Sequence, residues 1–331
     1  MLNLAINGFG RIGRQVFKVA VTKKDIKVVA INDLTDTKTL AHLLKYDTAY
    51  GHYEVPVEYD EKNLIINGKK IPVFAEKDPS VLPWGKLKVD MVLECTGRFT
   101  NKAGADMHLK AGAKKVIISA PAKGDVPTYV RAVNCAKCSK ETSPVINNAS
   151  CTTNCIGPVM AVLNEKFGIE KAMMSTIHGY TSDQNLQDGP HKDLRRARAA
   201  AENTVPTSTG AAMATTEVIP DLSGAFDGLA FRVPVAVGSL SDITVLLKKN
   251  VIKEEVNQAF VEAAKTERFT GVLTTTNEEL VSSDFVGNTH SAIVDLNLTN
   301  VVGGNLVKVV AWYDNEVGYA HRLVELAELY S

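Results

Sequence analysis

Asn7-Gly8-Phe9-Gly10-Arg11-Ile12-Gly13 is the stretch on which the fold turns. It follows an apolar run, Leu2 to Asn7, that reads as a strand. It opens a segment, Arg11 to Lys23, in which Ile12, Val16, Val19 and Ala20 recur at helical spacing while Arg14, Gln15, Lys18 and Lys23 remain for water. A second apolar run, Ile26 to Asn32, ends at Asp33, twenty positions past Gly13. Strand, glycine turn, helix, strand and acid in that order make a dinucleotide-binding unit. The glycines let the backbone turn and approach a pyrophosphate, the helix N-terminus faces its charge, and the carboxylate meets ribose hydroxyls. Gly8, Phe9, Gly10, Arg11, Ile12, Gly13 and Asp33 are therefore candidate cofactor residues. A glycine-rich turn with Asp33 merely capping the next loop is the plainer alternative. Asp33 also carries a sign, because a carboxylate repels a 2′-phosphate and so favours NAD over NADP.

Working outward, the alternation continues. Thr37 to Tyr46 and Lys102 to Ala111 read as helices, and Val89 to Cys95 and Lys115 to Ser119 as buried strands. The fold class is α/β, with an N-terminal doubly wound Rossmann parallel sheet. After Cys151 the strands come with fewer intervening helices: Ala172 to Thr176, Leu229 to Val233, Ile243 to Leu247, Ala292 to Leu296 and Val307 to Trp312. That texture predicts a mixed or antiparallel α+β domain. Ala320, Leu323, Val324 and Ala327 form one stripe of a final helix, Glu316 to Leu329, expected to pack back on the first domain. The expected division is 1–150 for the cofactor domain, completed by the C-terminal helix 315–331, and 151–314 for a catalytic domain. Ser182 to Val205 is polar, basic and too long for an ordinary connection, as functional loops often are.

The 331 residues hold 37 Lys plus Arg and 37 Asp plus Glu, so the net charge is zero and offers no field for a dedicated nucleic-acid or membrane partner. No apolar run approaches a bilayer span, and Met1 to Asn7 lacks the features of a secretory signal. Five cysteines, an odd number, point to reduced thiols and a cytoplasmic setting.

Ser150-Cys151-Thr152-Thr153-Asn154-Cys155 lies between a short strand, Pro144 to Asn147, and an apolar helical run, Ile156 to Phe167. A thiol at a helix N-terminus is acidified by the dipole, and the thiolate is the nucleophile, so Cys151 outranks Cys155 one turn deeper. Pro158 is expected to kink that helix. Two buried packing cysteines are the competing reading. Ala172 to His178 delivers His178 to a loop with Gly179, Tyr180 and Thr181; it is either a base or a satisfied histidine. His191, Lys192, Arg195, Arg196 and Arg198 cluster with little acidic relief except Asp193, and form either an anion site or a solvated helical face. Arg232, inside Ala230-Phe231-Arg232-Val233-Pro234, calls for an anionic partner or ligand. Cys135-Ala136-Lys137-Cys138 has no second ligand pair and is assigned to a surface loop; no metal is expected.

Together these residues resemble the phosphorylating glyceraldehyde-3-phosphate dehydrogenases, from Asn7-Gly8-Phe9-Gly10-Arg11-Ile12-Gly13-Arg14 to Trp312-Tyr313-Asp314-Asn315-Glu316, with Ala149-Ser150-Cys151-Thr152-Thr153-Asn154-Cys155 as the most specific match. The resemblance implies Cys151 as nucleophile and His178 as its base. Thr181 and Arg232 match the binders of the substrate's phosphate. Ser150, Thr152, Arg195, Thr209 and Gly210 match the site for attacking inorganic phosphate. Ser119, Asn315 and Tyr319 join the cofactor residues, with Asn315 orienting the nicotinamide amide. Further implied are NAD as cofactor, glyceraldehyde 3-phosphate and inorganic phosphate as substrates, and a cytoplasmic homotetramer of glycolysis. The nearest rival is an erythrose-4-phosphate dehydrogenase, which hydrolyses its acyl-enzyme. Three stretches depart from the family pattern: Met213 where Lys is common, Arg131-Ala132, and Val235 to Ser239. Gly189-Pro190 retains the proline found in NAD-using members.

Overall fold

The computed structural model describes residues 1–331 apart from the side chain of Lys137. By compactness the chain divides into two units, one of Met1–Tyr129, Lys137–Ala149 and Ala320–Ser331, the other of Val130–Ala136 and Ser150–Tyr319.

In the first unit the elements are β1 (Leu2–Asn7), α1 (Arg11–Ala20), β2 (Ile26–Asn32), α2 (Thr37–Lys45), the two-residue strands β3 (Tyr46–Asp47) and β4 (Gly51–His52), β5 (Val57–Tyr59), β6 (Asn63–Ile66), β7 (Lys69–Phe74), β8 (Met91–Glu94), α3 (Lys102–Lys110), β9 (Lys115–Ile118) and β10 (Val145–Asn147). The main sheet runs β10-β9-β8-β1-β2-β7-β6-β5. It is parallel from β10 to β7 and closes with the antiparallel strands β6 and β5. Strand β1 is central, with β2 on one side and β8 on the other. The chain therefore reverses direction of travel across the sheet at β1, and the carboxyl ends of these strands open a crevice there. Both faces of the sheet are covered, so β1 and β8 are buried along most of their length. The sequence reading does not include strands β5 to β7, since Pro72 and scattered lysines obscure their period.

The second unit contains α4 (Cys151–Phe167), β11 (Ile169–Gly179), β12 (Val205–Ser208), α5 (Ala211–Val218), β13 (Phe226–Val233), β14 (Ser239–Leu247), α6 (Lys253–Ala264), β15 (Leu273–Thr276), β16 (Ala292–Asp295), β17 (Asn300–Val302) and β18 (Leu306–Tyr313). Its sheet runs β12-β13-β11-β14-β18-β16-β15 and is mixed: β13 and β11 are parallel, as are β15 and β16, and the other neighbours are antiparallel. Strand β14 alternates buried and half-buried side chains along all nine residues, the period-2 pattern of a sheet with one covered face. The segment from Ser182 to Thr204 holds no helix or strand.

Helix α4 runs unbroken through Pro158. The missing hydrogen bond is outweighed by burial, for Ile156, Val159, Met160 and Leu163 are all fully enclosed. The last helix, α7 (Val317–Tyr330), buries Ala320, Leu323, Val324 and Ala327, the stripe expected from sequence. Within the first unit, Lys115 lies over the Tyr330 ring and Tyr330 donates to the Ser143 carbonyl.

Candidate active site

At the carboxyl ends of β1, β2 and β8 lies a cavity of about 270 Å³ bordered by Gly8, Gly10, Asn32, Asp33, Thr96 and Arg98. Two glycines there are obligatory. Gly8 has φ +90°, and a Cβ on it would stand 2.7 Å from the Thr96 nitrogen. A Cβ on Gly13 would stand 2.0 Å from the Gly8 carbonyl oxygen, so α1 could not pack where it does. Gly10 has open space where a Cβ would be, leaving its backbone accessible from the cavity. Asp33 accepts the Phe9 N–H on Oδ2 (2.7 Å) and the Thr35 N–H on Oδ1 (2.9 Å). Each oxygen keeps a lone pair for a hydroxyl. The dinucleotide reading and the capping reading of Asp33 thus both describe it.

The other cofactor candidates are distributed differently. Phe9 is fully buried edge-on to Phe17. Arg11 pairs with Asp47 at 2.8 Å and covers Tyr50, while Ile12 is half-buried in α1. Ser119 closes β9, its N–H bonded to the Glu94 carbonyl. In the second unit, Asn315 Oδ1 accepts the Gly238 N–H at 2.9 Å, leaving the amide NH₂ as an unused donor. Tyr319 is buried.

The second constellation is a row across one end of the mixed sheet. Register places Arg232 of β13 beside His178 of β11, His178 beside Ser239 of β14, and Ser239 beside Tyr313 of β18. Helix α4 presents Cys151 at its first turn, with Ser150 as N-cap accepting the Thr153 N–H at 3.0 Å. Cys151 Sγ is 3.5 Å from His178 Nε2. The next residue, Thr152, shares a 2.9 Å hydrogen bond with the buried Tyr313 hydroxyl.

The ring of His178 has a defined tautomer. Its Nδ1 is 2.6 Å from the Gly179 carbonyl oxygen, a separation at which two acceptors would repel, so Nδ1 carries a hydrogen and donates it. Nε2 therefore faces the sulfur as the proton acceptor. Burial, with the neighbouring Arg232 charge acting in the same sense, pushes the imidazole down to about 3. Burial also pushes the Cys151 thiol up, against the opposing pull of Arg232 and the hydrogen bonds of Thr152. At this helix terminus desolvation therefore opposes the dipole. Opposite charges on Sγ and Nε2 offset that cost only when they form together, so the proton moves between them as a unit. Cys155 is fully buried, its thiol raised by the same desolvation.

Arg232 Nη1 donates to the Gly179 carbonyl and to Thr181 Oγ1, each at 3.1 Å, and lies 3.0 Å from His178 Nδ1. Its Nε is buried without a partner. Thr181 donates in turn to Asp183, which also binds Arg196 Nη1.

Arg195 behaves otherwise. It is exposed and its N–H bonds Asp193, whereas Arg196 turns inward to Asp183, Thr207 Oγ1 (2.9 Å) and the Ser208 carbonyl (3.3 Å). Thr209 and Gly210 follow directly, Gly210 capping α5 and Thr209 Oγ1 accepting the Ala211 N–H. The basic segment also has more acidic relief than its sequence suggested: Asp183 serves Arg196 and Asp188 serves Arg198. It is not a helical face. Cys135 and Cys138 lie on a 3₁₀ turn at the surface, their own side chains buried while Ala136, Ser139 and Lys140 are exposed. Among the described residues no three His, Cys, Asp or Glu side chains converge as a metal site requires. Nor is any helix long and apolar enough to cross a membrane.

Residues 2–102 match the family model for the glyceraldehyde 3-phosphate dehydrogenase NAD binding domain, and residues 150–315 match the model for its C-terminal domain. The chain belongs to the glyceraldehyde-3-phosphate dehydrogenase family. It is 54% identical over 326 residues to the glyceraldehyde-3-phosphate dehydrogenase of Geobacillus stearothermophilus, covering 98% of this chain and 97% of that one. Identity to the Thermotoga maritima glyceraldehyde-3-phosphate dehydrogenase is 55% over 331 residues, covering 99% of each. The Bacillus cereus glyceraldehyde-3-phosphate dehydrogenase 1 is 54% identical over 327 residues, covering 99% of this chain and 98% of that protein. Sequence reasoning within this family pattern assigned no role to Asp183 or Tyr313. Tyr313 was signalled by its place at i+2 spacing after Val307, Val309 and Ala311 on β18; Asp183 had no such signal.

Proposed function

We propose that this chain is an NAD-dependent phosphorylating glyceraldehyde-3-phosphate dehydrogenase. It oxidises D-glyceraldehyde 3-phosphate through a thioester on Cys151 and passes the acyl group to inorganic phosphate, giving 1,3-bisphosphoglycerate. The observation that carries this reading is the Cys151 sulfur, 3.5 Å from an imidazole whose other nitrogen is committed to Gly179, with Arg232 alongside.

Sγ adds to the aldehyde carbon while its proton passes through Nε2 to the carbonyl oxygen, forming a hemithioacetal. When bound, NAD supplies the hydride acceptor. Nε2 takes the hemithioacetal hydroxyl proton as the carbon is oxidised, leaving a thioester. The Cys151 N–H, at the start of α4, and the His178 side chain stabilise the oxyanion. Inorganic phosphate then displaces the thiolate, conserving the thioester's free energy in an acyl phosphate.

The cavity residues fit the cofactor: accessible glycine backbone at a helix start suits a pyrophosphate, and the remaining lone pairs of Asp33 suit ribose hydroxyls while opposing a 2′-phosphate. The unused NH₂ of Asn315 suits a nicotinamide carbonyl. Arg232 and Thr181 hold the substrate's phosphate. Ser150, Thr152, Thr209 and Gly210 hold the attacking phosphate, with Arg196 taking the part expected of Arg195. A cytoplasmic homotetramer completes the reading, supported by Leu186 and Leu194, which are 81% and 82% exposed in the long loop.

The test is NADH formation with glyceraldehyde 3-phosphate and with erythrose 4-phosphate, each with and without phosphate. Turnover on the triose that requires phosphate supports the assignment. Preference for the tetrose without phosphate dependence contradicts it.

A further inference from the structure

Arg232 does more than offer a cation to a ligand. Its Nη1 stands 3.0 Å from Nδ1 of His178, and because that nitrogen carries a hydrogen the contact is one of charge rather than a hydrogen bond. Among the described residues no carboxylate is within ion-pair distance of Arg232. Asp183, the nearest acid, spends its oxygens on Thr181 and Arg196. Every titratable or charged group facing the imidazole is accounted for: Cys151 from α4, Arg232 from β13, Tyr313 from β18, and Asp183 and Arg196 from the long loop. Of the two cations, Arg232 weighs more against imidazolium.

We propose that the substrate's phosphate arms the base: by becoming the counter-ion of Arg232 it cancels the positive charge held against His178, so the proton moves from Sγ to Nε2 more readily once the substrate is seated. This rests on the proposed function above and adds a second role to the phosphate. Arg232 also draws the thiol down, but its 3.0 Å contact is with the ring that becomes the positive end of the thiolate–imidazolium pair, so neutralising it favours that pair. The device links substrate choice to rate, because an aldehyde without a phosphate meets a weaker base even when saturating. It also protects the thiol, since the nucleophile is fully active only with its own substrate present.

The experiment follows the single-turnover burst of NADH against pH, at saturating aldehyde and without inorganic phosphate, for glyceraldehyde 3-phosphate and unphosphorylated glyceraldehyde. At saturation the acid limb reports groups in the substrate complex. The limb is expected about one to three pH units higher with the phosphorylated aldehyde, the shift a neighbouring charge produces. In Arg232→Gln the two limbs are expected to coincide, with the glyceraldehyde limb moved upward. Arg232→Lys, which keeps the charge, is expected to retain the separation, and Arg232→Met, which also removes the charge, takes the place of a Gln variant that does not fold. Coincident limbs in the wild type overturn the proposal. So does a separation that persists in Arg232→Gln, because it then comes from ionisation of the substrate's own phosphate. Absence of any burst with either aldehyde refutes the dehydrogenase reading instead.

Discussion

Replacing His178 by Asn removes the acceptor to which Cys151 gives its proton and leaves a half-buried thiol to ionise alone. Burial already raises that thiol from the ordinary 9.0. At pH 7, two units lower, about one thiol in a hundred or fewer is then ionised. Alkylation of Cys151 by iodoacetamide should therefore rise about tenfold per pH unit from pH 6 to 8 in His178→Asn. The wild type should react faster in the same range and with a shallower dependence, because Nε2 at 3.5 Å shares the proton. The acylation burst should fall by about 10²–10⁴, the usual contribution of a positioned base, or about 3–5 kcal/mol of barrier. Alkylation and NADH release can be read on one preparation by stopped flow. Superimposable alkylation profiles, or an undiminished burst in the variant, would refute the reasoning.

Asp33→Ala removes the carboxylate that accepts the Phe9 and Thr35 N–H groups at the cavity. NAD affinity should fall, and NADP should be discriminated against less, by titration of protein fluorescence; unchanged preference would count against its role. Gly8→Ala forces a side chain into φ +90° and against the Thr96 nitrogen. It should cost at least about 1–2 kcal/mol from the backbone alone, seen as a lowered Tm, and weaken NAD binding; a neutral effect would show that the turn is more pliable than described. Cys155→Ala should leave the alkylation rate of the protein unchanged, since the Cys155 thiol is enclosed and raised by burial; a large drop would move the nucleophile. Leu194→Asp should shift the sedimentation coefficient below that of the wild type if the exposed loop residues bury themselves in a homotetramer, and identical sedimentation would argue that this leucine is no interface residue.

What could be read from the sequence followed from local rules. The turn Gly8 to Gly13 lies between a strand and a helix, so its geometry and its use are settled within about thirty residues. Ser150 before Cys151 is a local capping signal, and it set the start of α4 more firmly than Pro158 disturbed it. Other features depend on what lies across the sheet. The approach of Arg232 to His178 is a consequence of β13 pairing in parallel with β11, although the two residues are 54 positions apart in sequence. Which of the adjacent Arg195 and Arg196 points inward depends on Asp183 and Thr207, which no periodicity links to them. A helix terminus is visible in sequence, whereas the desolvation opposing it is a property of the packed site.

The most direct test is intact-protein and peptide mass spectrometry after mixing the protein with NAD and glyceraldehyde 3-phosphate in phosphate-free buffer. The account predicts a phosphoglyceroyl adduct on the peptide containing Cys151, absent from Cys151→Ser and discharged when inorganic phosphate is added. NADH formation with no adduct on that peptide, or an adduct on another residue, would contradict it.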